Sequence, residues 1–321
     1  MSNDHELAAL DRLPEATRIR SRKLAGGVAT IVADASGLST TERQGLERRL
    51  KDAALLLPGV SDARIALTAA RPNRTLVAIG SGKGGVGKST LTANLAVALA
   101  AMGKKVGLID ADIYGPSQPT LFGTSKKPEA EGEKLIPVEV RKNVSLLSVG
   151  QLVSAETALA WRGPMATSAL NQLIEGDWGD TDLILVDLPP GTGDVQLSLV
   201  QKARPAGAVI ISTPQDLSLI DARRAIDLFG KTSVPVLGVV ENMAGYQCPH
   251  CGESSDPFGQ GGAEQSAARL GVPFLGRLPL SASLRTASDA GVPPAGEPGP
   301  AADAFRAIAE RLLDELEKVS A

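Results

Sequence analysis

The chain has 321 residues, of which 43% are hydrophobic, 21% charged and 3% aromatic, and its formal net charge is −3. This length is enough for about two domains with a buried core, and the small negative charge excludes a general attraction to nucleic acid or to anionic membranes. Because no apolar run approaches a bilayer span and residues 1–20 are charged, unlike a signal peptide, we expect a cytoplasmic protein without nucleic-acid or membrane partners.

The first part of the chain predicts a small α+β unit. Residues 1–25 are polar without a clear period, which predicts a flexible lead-in. Residues 26–70 predict a strand, a helix that begins after Ser39, and a second strand, at 28–32, 40–57 and 63–67. Residues 71–74 read as a linker. A unit this small is marginally stable alone, so we expect it to dock on the larger domain.

From residue 75 to 295, apolar strands alternate with amphipathic helices. The predicted strands are 75–79, 105–109, 145–149, 183–187, 208–213 and 234–240, and the predicted helices are 88–102, 165–175, 217–229 and 263–270. This alternation predicts an α/β fold with a doubly wound, mostly parallel sheet, in which ligands bind at the carboxyl ends of the strands. Residues 296–321 contain an amphipathic helix at 302–318 whose other face is acid-rich, which predicts a docking helix.

A glycine-rich stretch at 81–90 lies between a predicted strand and a predicted helix. In that context the pattern G-x-x-x-x-G-K-[ST] indicates a phosphate-binding loop, because glycines let backbone N–H groups surround an anion. The predicted nucleotide-binding residues here are Gly82, Lys83, Gly84, Gly85, Val86, Gly87, Lys88, Ser89 and Thr90. We expect Lys88 to reach the phosphates and the Ser89 hydroxyl to bind Mg²⁺. An ordinary glycine-rich turn is the alternative.

Three aspartates follow predicted strands. Asp187 ends the strand 183–187 and suits the acid that organises Mg²⁺, and the Pro- and Gly-rich turn after it suits a γ-phosphate sensor. Asp110 and Asp112 are spaced by one residue, so they point the same way on an extended chain. We assign Asp110 to the metal neighbourhood and Asp112 to the attacking water. An ordinary acid-terminated strand and an exposed acidic turn are the alternatives.

Asn242 follows another strand and could either read the edge of a purine base or form a turn. Cys248 and Cys251 are the chain's two cysteines, which excludes a disulfide framework. Thiolates at this spacing can hold one metal ion or cluster, but such sites usually have four soft ligands. Two chains meeting at a two-fold axis would supply four. Zinc remains a rival, whereas a thioredoxin-like redox role lacks its structural context and His250 reads as a spacer.

The extra lysine at position 83 resembles the loop of cell-division, plasmid-partition and nitrogenase-reductase P-loop NTPases. Four further stretches narrow the resemblance, namely Trp161-Arg162-Gly163-Pro164-Met165, the DLPPGTGD run at 187–194, Met243 followed by the cysteine pair, and Phe258-Gly259-Gln260-Gly261-Gly262. Together they resemble the Mrp/ApbC family of iron–sulfur cluster carrier ATPases, over about residues 75–295.

The resemblance implies a homodimer that binds ATP and Mg²⁺, hydrolyses ATP slowly, and carries a bridging [4Fe–4S] cluster from cluster donors to apo-proteins. It implies that Lys83 reaches into the partner's site and works with Lys88 and Asp112 in hydrolysis, and that Cys248 and Cys251 hold the cluster. Residues 26–70 resemble the later half of the MIP18/DUF59-like domain often fused to this family. The rival functions are a MinD/ParA-like positioning ATPase and a zinc-stapled dimeric ATPase scaffold.

Overall fold

The structure is a computed structural model, and it describes residues 7–36, 38, 40–68, 74–132, 134–152, 163–248 and 250–320. The predicted helix cap Ser39, most of the predicted linker, and Trp161 and Arg162 lie outside these residues. The chain divides into two compact units, Met1–Arg74 and Thr75–Ala321. Among the described residues, no helix combines the length and the apolar character needed to cross a bilayer.

The smaller unit is a three-stranded sheet with one long helix. Its elements are β1 (Ile19–Ala25), β2 (Val28–Asp34), α1 (Thr40–Leu55) and β3 (Asp62–Thr68). The strand order is β1-β2-β3, with β1 antiparallel and β3 parallel to β2. Apolar residues of β2 and α1, including Ile31, Leu46 and Leu50, are buried between sheet and helix. Two short 3-10 turns, Ala8–Arg12 and Ala16–Arg18, precede the sheet.

The prediction of a flexible lead-in was wrong for residues 19–25, which form strand β1. Gly26 and Gly27 both have positive φ angles, 57° and 81°. This backbone suits a two-residue hairpin turn that folds β1 back onto β2. Because β1 lies at the sheet edge, its backbone hydrogen bonds form although most of its side chains are exposed and polar. The usual apolar alternation of a strand was therefore absent from the sequence.

The larger unit contains a nine-stranded sheet and a separate hairpin. Its strands are β4 (Thr75–Gly80), β5 (Val106–Asp110), β6 (Glu129–Glu131), β7 (Lys134–Ile136), β8 (Val138–Arg141), β9 (Val144–Ser148), β10 (Leu183–Asp187), β11 (Gly207–Ser212), β12 (Val236–Gln247), β13 (Ser254–Ser255) and β14 (Phe274–Leu280). The order in the large sheet is β13-β12-β11-β4-β10-β5-β9-β8, with β14 also paired to β12. Only β8 and β13 pair antiparallel within the described part of this sheet. The prediction of a mostly parallel, doubly wound sheet is confirmed.

Helices cover both faces of this sheet. The described helices are α2 (Lys88–Ala101), α3 (Gln118–Leu121), α4 (Val149–Leu152), α5 (Gly163–Ile174), α6 (Asp194–Ala203), α7 (Asp216–Lys231), α8 (Gly262–Leu270), α9 (Ala282–Asp289) and α10 (Pro300–Ser320). Residues of α2 and α10 form the core on one face. Residues of α5, α6, α7 and α8 form it on the other. Because both faces are covered, the central strands are buried along their whole length and are apolar up to their last residue.

Each predicted strand and helix of the larger unit overlaps an observed element, but other elements were not predicted. Helix α6 begins at Asp194, which the sequence places at the end of the Pro- and Gly-rich turn. Strand β14 contains Gly276 and Pro279, which weaken the strand pattern. Strand β12 continues to Gln247, past the predicted end at residue 240. That extension carries the chain from Asn242 to the cysteine pair.

Candidate nucleotide site and cysteine pair

The glycine-rich loop connects β4 to the start of α2, at the carboxyl end of the sheet. At two of its glycines, an atom of another residue occupies the space that a Cβ would need. A Cβ at Gly82 would lie 2.1 Å from the backbone oxygen of Asp221, and a Cβ at Gly87 would lie 2.3 Å from Nδ2 of Asn242. Gly87 also has φ +89° and precedes α2 without a side-chain cap on the helix. The first N–H groups of α2 are therefore available to an anion.

The loop encloses an open cavity of ≈ 230 Å³. Its lining includes Lys83, Gly85, Lys88, Ser89, Asp112 and Pro190. Gly84 and Gly85 are exposed, Ser89 and Thr90 are half-buried, and Val86 is buried beneath them. Lys83 is half-buried, and its backbone oxygen accepts a hydrogen bond from the Ser81 hydroxyl at 2.9 Å. Among the described residues, no carboxylate lies within ion-pair distance of its ammonium group.

Lys88 lies between two of the predicted carboxylates. Its ammonium is 2.5 Å from Oδ1 of Asp187 and 3.8 Å from Oδ2 of Asp112. Asp187 is fully buried and Lys88 is 6% exposed, so this ion pair is largely shielded from water. Ser89 Oγ lies 3.4 Å from the same ammonium. The structure therefore brings Lys88, Ser89, Asp112 and Asp187 together around one point.

Asp110 lies beside Asp187 on the neighbouring strand, because the two residues are in register across β5 and β10. Its carboxylate accepts hydrogen bonds from the Asp112 N–H at 3.2 Å and the Ser148 hydroxyl at 2.9 Å. Burial, reinforced by the nearby Asp187 charge, raises the pKa of Asp110 to about 7. Burial also raises the pKa of Asp112. The site therefore concentrates negative charge that a cation would stabilise.

Gln118 is a buried residue of this site that the sequence did not indicate. Its side-chain amide donates to the Ser89 backbone oxygen at 3.0 Å and to Oδ2 of Asp187 at 2.8 Å. Its backbone N–H donates to Oδ2 of Asp110 at 3.1 Å. The sole local signal was its place between Ser117 and Pro119 at the start of a short helix. That signal indicates a turn and no ligand.

The turn after Asp187 is tied directly to the phosphate loop. The N–H of Gly191 donates to the Ser81 oxygen at 3.0 Å, and the N–H of Leu188 donates to the Ile79 oxygen at 3.2 Å. The Gln196 amide nitrogen donates to the Pro190 oxygen, while its oxygen accepts from the Gly193 N–H at 3.0 Å. A ligand that moves the phosphate loop would therefore also move this turn.

Asn242 contacts the phosphate loop from β12, which is separated from β4 by β11 in the sheet. Its Nδ2 donates to the backbone oxygen of Val86 at 2.8 Å. The preceding residue, Glu241, is fully buried and accepts hydrogen bonds from the N–H groups of Gly261 and Ala263 at 2.9 and 2.7 Å. These bonds hold the start of α8 against β12. The glycine at the first position of α8 is explained separately, because a Cβ at Gly262 would lie 2.6 Å from the Pro214 oxygen.

Cys248 and Cys251 lie in a turn between β12 and β13. Cys248 is half-buried and Cys251 is exposed, and both are free thiols. The turn is closed by two backbone hydrogen bonds of 2.9 Å, from Gly252 N–H to Cys248 and from Cys248 N–H to Glu253. Hydrogen bonds from the backbone N–H groups of Cys251 and His250, and then from the Cys251 thiol, lower the pKa of Cys248. The thiolate is the form that binds metals.

The donor atoms present fit Mg²⁺ at the nucleotide site and a thiolate-bound metal or cluster at the cysteine pair, which are the groups that the sequence implied. The carboxylates, the Ser89 hydroxyl and a buried, unpartnered Oε1 of Gln118 form the oxygen-rich environment that Mg²⁺ prefers. In the described part of the chain, no cluster of three or more His, Cys, Asp or Glu residues could hold a metal ion. The two thiols of one chain therefore provide half of a four-thiolate set.

Comparison with known proteins gives a consistent family. A family model described as "NUBPL iron-transfer P-loop NTPase" matches residues 73–313. The iron-sulfur cluster carrier protein of Deinococcus radiodurans is 43% identical over 93% of this chain and 88% of its own length. The mitochondrial iron-sulfur protein required for NADH dehydrogenase of Arabidopsis thaliana is 47% identical over 77% of this chain and 80% of its own length.

Solved structures agree with these relatives. A nucleotide-binding protein from Archaeoglobus fulgidus, in complex with ADP, is 42% identical with a TM-score of 0.63 over 71% of this chain and 89% of its own. The cell division ATPase MinD of Pyrococcus furiosus is 25% identical with a TM-score of 0.60 over 75% of this chain and 98% of its own. The family predicted from the motifs is confirmed. The chain belongs to the iron-transfer P-loop NTPases, the family of the Mrp/ApbC-type iron–sulfur cluster carriers.

Proposed function

We propose that this protein binds ATP with Mg²⁺, hydrolyses it slowly, holds a [4Fe–4S] cluster between two copies of the chain, and passes that cluster from donors to apo-proteins. One observation carries the proposal. Strand β12 contacts the phosphate loop through Asn242 and ends immediately before Cys248. The nucleotide site and the cysteine pair therefore share one strand. A movement of the phosphate loop on nucleotide binding can be transmitted along β12 to the cysteines that hold the cluster.

The nucleotide half of the proposal assigns roles to residues that lie together. The backbone of residues 82–90 surrounds the phosphates, and Lys88 leaves Asp187 to pair with their oxygens. The oxygens of Ser89, Asp110 and Asp187 provide the neighbourhood for Mg²⁺, which neutralises charge on the transferred phosphoryl group when bound. Asn242 contacts the edge of the base with the part of its amide that Val86 does not occupy.

Hydrolysis in this proposal needs two further residues. Asp112 is 7% exposed at the cavity wall, where its carboxylate orients the attacking water. Lys83 lies at the same cavity with its ammonium free of ion pairs among the described residues, so it is available to the nucleotide site of a second chain. Two copies meeting at this face would each complete the other's site.

The cluster is cargo held by thiolates. Cys248 has a lowered pKa, so it is more readily deprotonated than an ordinary thiol. A [4Fe–4S] cluster takes four thiolates, and two copies supply Cys248 and Cys251 twice. A site built across an interface opens when the interface loosens, which suits release to apo-proteins. We place this activity in the cytoplasm, without nucleic-acid or membrane partners, and assign the MIP18/DUF59-like unit at 26–70 a docking role.

The first test separates binding from hydrolysis at the nucleotide site. Lys83→Ala is expected to lower ATP turnover at least tenfold while ATP affinity changes less than about threefold, because the lysine acts across the dimer on the charge that develops during transfer. Lys104→Ala, at an exposed lysine outside the loop, is the matched control and should keep the wild-type ATP turnover and ATP affinity. Equal losses of binding and turnover in Lys83→Ala would contradict the cross-dimer role.

The second test concerns the cargo. After anaerobic reconstitution, the wild type is expected to hold about four iron and four sulfide per dimer, and Cys248→Ala almost none. Equal contents in both proteins would refute the cluster site. Zinc without labile sulfide in anaerobically purified protein would instead favour a zinc-stapled scaffold.

A MinD-like positioning ATPase is the second candidate, favoured by the fold shared with the Pyrococcus protein. In this chain, however, the apolar stripe of α10, including Phe305, Ile308 and Leu312, is buried in the core and is not presented to a membrane. ATP-dependent co-sedimentation with DNA or with anionic liposomes would support this second function over the first.

A further inference from the structure

Gln118 joins the three elements that carry the nucleotide and metal residues. It is fully buried at the start of α3. Through its side chain it contacts the first turn of α2 at Ser89 and the end of β10 at Asp187, and through its backbone the end of β5 at Asp110.

The orientation of the Gln118 amide is fixed by its partners. Both of its acceptors, the Ser89 backbone oxygen and the Asp187 carboxylate, need a donor, so the amide nitrogen must face them. A flipped amide would place oxygen against oxygen at both contacts. The opposite atom, Oε1, is buried and has no hydrogen-bond partner among the described residues. An unsatisfied buried acceptor is costly, so a donor at this position would stabilise the site.

The two oxygens of the Asp187 carboxylate have different partners. Its Oδ1 pairs with Lys88 at 2.5 Å and also accepts a 3.4 Å hydrogen bond from the Thr92 hydroxyl, and its Oδ2 accepts from Gln118 at 2.8 Å. When Lys88 turns to a phosphate, Asp187 loses its ion pair while the buried Asp110 stays beside it in register. Among the described residues, Gln118 then supplies the shorter of the two hydrogen bonds that hold Asp187 against the repulsion of its neighbour, at 2.8 Å, since the Thr92 hydroxyl lies 3.4 Å from Oδ1. It also fixes the distance of Asp187 from the Ser89 end of α2.

We propose that Gln118 is a positioning residue for the Mg²⁺-bound nucleotide. Its amide nitrogen holds Asp187 and the Ser89 turn in the geometry that receives the metal, and its Oε1 accepts a hydrogen bond from a water of the metal's hydration shell. The inference rests on the proposed nucleotide function and adds to it a residue outside the phosphate-loop motif. Partners in this outer position typically change metal affinity by about 10–100-fold when removed.

The test measures how much Mg²⁺ strengthens ADP binding. ADP is titrated calorimetrically into the full chain, once with Mg²⁺ and once with EDTA, for the wild type and for Gln118→Met, an apolar side chain of similar length. The ratio of the two affinities is expected to fall about 10–100-fold in Gln118→Met. The affinity in EDTA should stay within about threefold, because phosphate-loop contacts are retained.

Gln151→Met is the matched control. Gln151 is also a buried glutamine, and its amide contacts backbone groups, accepting from the Ser148 N–H and donating to the Lys126 oxygen. The control should keep the wild-type ratio. Gln118→Leu is measured as a second variant, so that the test stands if Gln118→Met folds poorly. Tryptophan fluorescence before titration establishes that each variant is folded.

Two results would overturn the inference while leaving the proposed function intact. One is a wild-type ratio in both Gln118 variants. The other is an equal loss of ADP affinity with and without Mg²⁺, which would assign Gln118 a purely structural role. Failure of the wild type itself to bind ADP would instead refute the proposed function, and the inference with it.

Discussion

Replacing Glu241 by glutamine tests whether one buried carboxylate of β12 anchors the start of α8. Glu241 is fully buried and accepts three hydrogen bonds, from Gly261 N–H at 2.9 Å, Ala263 N–H at 2.7 Å and Arg277 Nε at 3.2 Å. Glutamine keeps the size but loses the charge, and it turns one acceptor into an NH₂ group. One N–H of the α8 start therefore loses its partner.

The magnitude follows from these contacts. An N–H left without its buried acceptor costs about 1–3 kcal/mol, and weakening the charged bond to Arg277 adds to this cost. Arg277 is 38% exposed, so breaking its pair with Glu241 costs less than the ~3–5 kcal/mol of a fully buried ion pair. We expect Glu241→Gln to lower the free energy of unfolding by about 3 kcal/mol. For a unit of this size that corresponds to a Tm about 6–12 °C lower.

The assay is thermal unfolding followed by tryptophan fluorescence. Both tryptophans, Trp161 and Trp178, belong to the larger unit, so the signal follows that unit. Glu264→Gln is the matched control, because Glu264 contacts the same arginine from an exposed position and should cost less than about 1 kcal/mol. Equal Tm changes in the two variants would refute the reasoning that burial makes Glu241 the anchor.

Three further outcomes are expected. Gly87→Ala should lower the free energy of unfolding by about 2–3 kcal/mol, because Gly87 has a positive φ and lies against Asn242. In an Asn242→Ala background the loss should be about 1 kcal/mol smaller; urea-unfolding free energies in which the two substitutions are additive would contradict this. Because backbone N–H groups of Cys251 and His250 lower the pKa of Cys248, its iodoacetamide reaction should reach half-maximal rate at a lower pH than that of an ordinary thiol. Cys251→Ala removes the thiol hydrogen bond and keeps the backbone one, so it should move that midpoint slightly upward; an ordinary midpoint in the wild type that Cys251→Ala leaves unmoved would exclude these hydrogen bonds. Leu50→Ala should destabilise the smaller unit by about 2–5 kcal/mol, seen as faster amide exchange in β2; unchanged exchange would show that this core does not hold the sheet.

The sequence alone predicted most elements of the larger unit. Strands 75–79 and 183–187 and the glycine-rich loop carry their signals within a few neighbouring residues, so reading them needs no tertiary contact. Strand β1 gave no such signal, because an edge strand is held by backbone pairing with β2 and its side chains are mostly exposed. Helix α6 was hidden for a related reason, since a glycine-rich turn runs directly into it.

In the candidate site, too, local patterns predicted some residues, and long-range contacts determined the others. Local chemistry was enough to identify Lys88, Asp187 and the cysteine pair as candidates, because a phosphate loop, an acid-terminated buried strand and a C-x-x-C spacing are short patterns. Their mutual distances came from the tertiary structure, because β5 and β10 are adjacent in the sheet although far apart in sequence. Gln118 belongs to the site through long-range hydrogen bonds, and such bonds leave no pattern in the neighbouring residues.

The sequence by itself determined that this chain carries a lysine-containing loop of the phosphate-binding pattern and a pair of thiols, because residue type and spacing define those patterns. Only the tertiary structure decided that Lys88 pairs with Asp187, that Gln118 ties three elements together, and that β12 links the loop to Cys248. The physical reason is that a hydrogen bond depends on distance in space, which folding sets for residues that are remote along the chain.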